Sequence, residues 1–171
     1  ETKNNYVKRF KIINSIRSFL NNHGYIEVET PVLQPIYGGA NAKPFTTNHN
    51  ALDQDFYLRI ATELYLKQLI VGGFEKVYEL SKDFRNEGID RSHNPEFTML
   101  EFYQAYSDYN FMMDFVEQMF KKVVKDLDMK KISWDGHKID FSKKFARKTM
   151  GELINDHTGN DIDISDHSAV Y

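Results

Sequence analysis

The chain has 171 residues, 41% of them hydrophobic and 14% aromatic, which is enough apolar surface for one buried core and within the size range of a single domain. A formal net charge of -3 argues against a generally basic nucleic-acid-binding module, so any contact with nucleic acid has to be local. The absence of cysteine excludes disulfides, thiolate metal sites and a cysteine nucleophile. No apolar run approaches the roughly 20 residues of a membrane span. The first residues, Glu1-Thr2-Lys3-Asn4-Asn5, offer neither an initiator Met nor a signal-peptide core, so the chain reads as soluble and as the interior of something longer.

Tyr6, Phe10, Ile13, Ile16 and Leu20 recur at helical spacing, with Gly24 placed as a left-handed stop, so an amphipathic helix opens the chain. Tyr25 to Glu29 alternates like a strand, and Pro31, Pro35 and Gly38-Gly39 force an irregular loop. Phe56 to Ile60 suggests a second strand, and Glu63 to Val71 a helix ending at Gly72-Gly73. Two runs of period two, Lys76 to Arg85 and Glu96 to Tyr106, flank a polar stretch from Asn86 to Pro95; they predict an antiparallel hairpin with a long, functional loop. Phe111, Met112, Phe115, Met119, Val123 and Leu127 form a further helical stripe, best read as core packing. A tight hairpin follows, turning at Asp135-Gly136, and Thr149-Met150-Gly151-Glu152 spells a capping box that starts one more helix. Without repeats or low-complexity linkers, the expectation is one α+β domain: an antiparallel sheet flanked by helices.

The hairpin carries the chemistry. On its second strand Phe97, Met99, Glu101, Tyr103 and Ala105 share a face, opposite Leu100, Phe102 and Tyr106; on its first, Glu79, Ser81, Asp83 and Arg85 do, opposite the apolar Tyr78, Leu80 and Phe84. A charged face of this kind is ordinarily solvated. Here it also holds aromatic and apolar side chains, and the loop beside it carries Asn86, Glu87, Asp90, Arg91, His93 and Asn94. A guanidinium such as Arg85 grips phosphate oxygens in bidentate fashion, and a ring such as Phe97 stacks on a purine. Glu101 and Tyr103, two apart, present a carboxylate and a hydroxyl to an ammonium group. The expectation is that Arg85, Phe97, Glu101 and Tyr103 project into a shared cavity.

The remaining polar residues get simpler assignments. His23, near a helix end, is expected to be a capping or dipole partner. His49, His137, His157 and His167 have no short ligand spacing, so no metal site is expected among these residues. Lys143-Lys144 with Arg147-Lys148 is read as a solvated face.

Phe84-Arg85-Asn86-Glu87-Gly88, followed by His93-Asn94-Pro95-Glu96-Phe97-Thr98-Met99-Leu100-Glu101-Phe102-Tyr103, resembles motif 2 of the class II lysyl-tRNA synthetases. The helix leading to Gly24-Tyr25-Ile26-Glu27-Val28-Glu29-Thr30-Pro31 resembles motif 1. Gly38-Gly39-Ala40 through Phe45, and Ala61-Thr62-Glu63-Leu64-Tyr65-Leu66-Lys67, resemble two further stretches of the lysyl enzymes. The similarity is dense from Phe10 to Tyr109 and thins afterwards.

The resemblance implies a truncated catalytic domain of that class, with residues 1–171 as its N-terminal part and no anticodon-binding domain. It implies a cytoplasmic enzyme that forms lysyl-adenylate from lysine and ATP and passes the lysyl group to tRNA(Lys), as a homodimer joined through motif 1 around Pro31. Arg85 would be catalytic, holding the ATP α-phosphate. Glu87 and His93 would lie along the ATP, Asn94 would read the adenine edge and Phe97 would stack on the ring. Gly39, Glu63 and Glu101 would receive the α-amino end of lysine, and Tyr103 would point toward its side-chain ammonium. Magnesium would accompany ATP, on ligands outside this chain, because motif 3 and its acidic residues are absent. Thr62 and Tyr37 stand where relatives often have proline, which implies loop adjustment. Two alternatives are a paralogue that attaches lysine-like groups to a protein, and a non-catalytic dimerisation or binding module, since half of the ATP site is missing.

Overall fold

A 21-residue helix, α1 (Thr2–Asn22), begins the chain in a computed structural model that describes residues 1–160; His167 lies outside the described residues. Its C-terminal half does the packing: Phe19 and Leu20 are buried and Ile16 lies against them. The stripe read from sequence is not buried throughout, because Tyr6 and Phe10 are 71% and 67% exposed. His23 caps the helix as expected, a ring nitrogen lying 2.7 Å from the Phe19 carbonyl oxygen. Gly24 then takes φ +79, the left-handed region that lacks a penalty only for glycine.

Next come β1 (Ile26–Glu27), β2 (Leu33–Gln34), β3 (Thr46–His49), β4 (Gln54–Leu58), α2 (Glu63–Val71), β5 (Lys76–Phe84), β6 (Glu96–Gln104) and α3 (Tyr109–Asp126). The helix from Glu63 to Val71 has the bounds the sequence predicts, whereas the second strand runs two residues earlier than expected. The expected antiparallel sheet needs two corrections. The strands form separate small sheets, ordered β1-β5-β6 and β2-β4-β3, and β1 runs parallel to β5, with Ile26 opposite Val77 and Glu27 opposite Tyr78. The connection between residues 28 and 75, which holds β2, β3, β4 and α2, carries the chain back to the same end of the sheet, so the second arrival is parallel; alternation alone does not reveal this.

The β5–β6 hairpin is antiparallel from Lys76 opposite Gln104 to Phe84 opposite Glu96. Its apolar face meets α1 and α3: Tyr78, Phe19, Leu20, Tyr25, Phe115 and Met119 form the core, with Leu80, Leu100 and Phe102 against it. Fully burying a side chain such as Leu20 contributes about 1.5–3 kcal/mol, so this cluster fixes which way the hairpin faces. Burial pushes the Tyr25 and Tyr78 hydroxyls up to about 12. α3 starts where the Asp108 carboxylate accepts from the Phe111 N–H at 2.9 Å.

Residues through Leu127 form one compact unit and those from Asp128 a second. The second holds the hairpin β7 (Lys131–Trp134) and β8 (His137–Asp140), turning through Asp135 and Gly136, both at positive φ as a type I′ turn requires. It also holds α4 (Met150–Thr158), opened by the complete Thr149–Glu152 capping box.

Candidate active site

The face of the hairpin that turns away from the core is not a solvated one. Glu79, Ser81 and Asp83 are all buried. Register places Glu79 opposite Glu101, Ser81 opposite Met99 and Asp83 opposite Phe97. Arg59, just after β4, makes this burial tolerable: its guanidinium lies 2.7 Å from Glu79 and 3.2 Å from Asp83 and donates to the Lys82 and Thr30 carbonyls. The Thr30 hydroxyl donates to the second Glu79 oxygen at 2.7 Å. Sequence reasoning missed Arg59. The usable signal was a lone cation inside the apolar run from Phe56 to Ala61 while two carboxylates, four residues apart, faced one side of the hairpin.

At the open end of this floor is a cleft of about 270 Å³ lined by Arg85, Glu87, Gly88, Ser92, His93, Asn94 and Phe97. All five residues expected to contact ATP therefore converge. The Arg85 side chain donates weakly to the Ile60 carbonyl at 3.4 Å, and its guanidinium carbon lies 5.1 Å from the Phe97 ring centroid. The loop is tied down at both sides. Asn86 N–H donates to the Lys43 carbonyl, Glu87 accepts from the Lys43 N–H, and Asp90 accepts from the Ser92 and His93 N–H groups and lies 2.7 Å from His93 Nδ1. A wider opening of about 580 Å³ lies between Asn5, Tyr6 and Arg9 of α1 and the hairpin. Its charged groups already have partners, Lys82 with Glu96 and Arg9 with Thr98, so it is the poorer candidate for an anion.

Further along the same face sits a second cluster. Glu101 accepts from the Thr62 N–H at 3.4 Å and from the Tyr103 hydroxyl at 3.1 Å. Burial pushes the Glu101 carboxyl up, with Asp83 and Glu63 adding to the shift. The Tyr103 hydroxyl is also raised, by burial and then by Glu101. Glu63 opens α2 beside them, and Gly39, at φ +84, packs so closely that an added Cβ would lie 2.8 Å from Glu63 Cβ. Gly39, Glu63, Glu101 and Tyr103 thus lie close together. Of the four residues expected to share a cavity, Arg85 and Phe97 line this cleft, and Glu101 and Tyr103 lie on the same face of the hairpin beyond its lining. The segment Ile60-Ala61-Thr62 links them, touching Arg85 through its first carbonyl and Glu101 through its last N–H.

A cleft with an arginine and an aromatic ring suits a nucleotide; a desolvated carboxylate cluster suits an amine. The sequence profile of the tRNA synthetases class II (D, K and N) matches residues 1–168. The chain belongs to this class II synthetase family. Among similar proteins, the lysine–tRNA ligase of Clostridium botulinum (strain Langeland) is 56% identical over 165 residues, covering 96% of this chain and 33% of that protein. The lysine–tRNA ligase of Porphyromonas gingivalis (strain W83) is 58% identical over 161 residues, 94% of this chain and 28% of its own length. That of Roseiflexus sp. (strain RS-1) is 55% identical over 163 residues, 95% and 33%. This class II synthetase chain thus spans about a third of the length of the curated relatives it matches. Among the described residues, no three His, Asp or Glu side chains are grouped to hold a metal ion. Nor, among them, is any helix long and apolar enough to cross a membrane.

Proposed function

We propose that the chain is the N-terminal part of the catalytic domain of a cytoplasmic lysine–tRNA ligase and supplies most of its lysine pocket and half of its ATP site. The observation that carries this is the convergence of Arg85, Glu87, His93, Asn94 and Phe97 on one cleft, next to the Glu63–Glu101–Tyr103 cluster. The reaction joins the lysine carboxylate to the ATP α-phosphorus with release of pyrophosphate, and a terminal ribose hydroxyl of tRNA(Lys) then takes the lysyl group from AMP.

A carboxylate is already a nucleophile at neutral pH, so the protein's work is alignment and charge neutralisation. Arg85 would hold the α-phosphate and offset its growing negative charge; its bond to the Ile60 carbonyl, at 3.4 Å, is long enough to be given up readily for a phosphate oxygen. Phe97 would stack on adenine once Arg85 turns toward phosphate. Asn94 would meet the adenine edge, and Glu87 and His93 would flank the phosphate chain. Gly39, Glu63 and Glu101 would receive the lysine α-amino group, and Tyr103 would face the side-chain ammonium. Magnesium would come with ATP and with ligands from elsewhere in the enzyme. Exposed apolar side chains at Tyr6, Phe10, Ile26, Leu33 and Ile36 support a homodimer through motif 1.

The test is lysine-dependent ATP–pyrophosphate exchange in the complete enzyme. Arg85→Ala is expected to reduce it on the order of 100-fold or more, as loss of a donor to a developing charge does. Near-normal exchange would refute the assignment.

A further inference from the structure

We propose that Lys67 is a resident ammonium: it occupies the carboxylate that receives the substrate's amine, and it has to yield that carboxylate when lysine binds. This rests on the assignment of Glu63, Glu101 and Tyr103 to lysine recognition. Lys67 Nζ lies 2.6 Å from Glu63 Oε1 and 5.9 Å from the Tyr103 ring centroid. It therefore pairs with one residue assigned to the α-amino group and stands over the ring of one assigned to the side-chain ammonium. Chemically it is what the substrate brings, a primary ammonium on a flexible four-carbon stem.

Two features distinguish it from an ordinary pair one turn apart on a helix. Glu63 stands against Gly39, where an added Cβ would meet Glu63 Cβ at 2.8 Å, and its side chain is 31% exposed, so its carboxylate belongs to the cluster rather than to open solvent. Glu101 is engaged separately, by Thr62 and Tyr103. An incoming amine thus meets Glu63 already neutralised. Lys67 itself has an exit: its side chain is 56% exposed, so its ammonium can return to water while the stem stays on α2. Because the competitor is tethered, its local concentration does not fall when substrate is scarce, and the apparent affinity for lysine is lower than the pocket alone would give. Exposed pairs of this spacing are individually weak, which places the effect at about two- to three-fold.

The experiment measures KM for lysine in pyrophosphate exchange with the complete ligase, with KM for ATP as internal reference. Lys67→Met is expected to lower KM for lysine about two- to three-fold, the factor that a weak exposed pair supplies. Lys67→Arg, which keeps a cation on Glu63, is expected not to. Lys67→Gln provides a second neutral variant, and thermal melts verify that each variant is folded. An unchanged or raised KM in both neutral variants, with a raised KM in Glu63→Gln, overturns the resident ammonium and leaves the lysine pocket standing. An unchanged KM in Glu63→Gln removes the pocket assignment and this proposal with it.

Discussion

Arg59 Nη1 donates to Glu79 Oε1 at 2.7 Å with both side chains 5% exposed, and the same guanidinium reaches Asp83, whose side chain is fully buried. Two carboxylates under the site floor thus share one cation. Removing that cation strands both. Arg59→Met is expected to cost about 3–5 kcal/mol, the range for breaking a buried pair from one side, and urea unfolding measures it. A loss under about 1 kcal/mol would mean that the charges are relieved in another way.

Glu101 combines stability and function with opposite signs. Burial raises its carboxyl pKa, so the folded chain holds that proton at pH values where the unfolded chain has released it. The stability tied to this proton is present below the ordinary carboxylate range and is lost as pH rises through the raised value. Glu101→Gln is therefore expected to raise Tm at neutral pH by about 2–4 °C, the shift that ~1 kcal/mol produces in a domain of this size, with the gain shrinking on acidification. Exchange with lysine falls in the same variant. A gain that grows toward acid would contradict an upward shift of this carboxyl.

Gly39 at φ +84 leaves no room beside Glu63 and Ala61. In Gly39→Ala the new methyl would meet Glu63 Cβ at 2.8 Å and the backbone would be strained by roughly 1–2 kcal/mol. Expected is a rise in KM for lysine of about ten-fold, a ~1.4 kcal/mol effect, with a much smaller change in KM for ATP. Equal changes in both constants would point to general loosening instead.

Phe97 lies in the cleft beside Arg85, whose guanidinium carbon is 5.1 Å from its ring centroid. Phe97→Ala is expected to raise KM for ATP about ten-fold through loss of a stacking surface, while Phe97→Tyr stays near wild type. Steady-state titration of ATP at saturating lysine separates the two. Selective damage to lysine binding would reassign the ring.

Much of this was legible in the sequence because the hairpin repeats with period two over nine residues on each strand. Parity alone assigned Tyr78 and Leu100 to the core and Asp83 and Glu101 to the other face. The loop from Asn86 to Pro95 was recognisable by length and polarity. Arg59 escaped because its partners lie 20 and 24 positions away, and no local pattern couples a residue after one strand to the buried face of another. The exposure of Tyr6 and Phe10 escaped because helical spacing says which residues share a face, not whether anything covers it.

The parallel pairing of β1 with β5 sets the order in which the sheet can be assembled. Glu27 and Tyr78 are 51 positions apart, whereas Phe84 and Glu96 are only 12 apart. Closing the larger loop costs more chain entropy, so the hairpin can form on its own while β1 has nothing to pair with until β5 exists. During synthesis the first helix and its strand leave the ribosome well before their partner, and the apolar side chains at the end of that helix spend the interval in water.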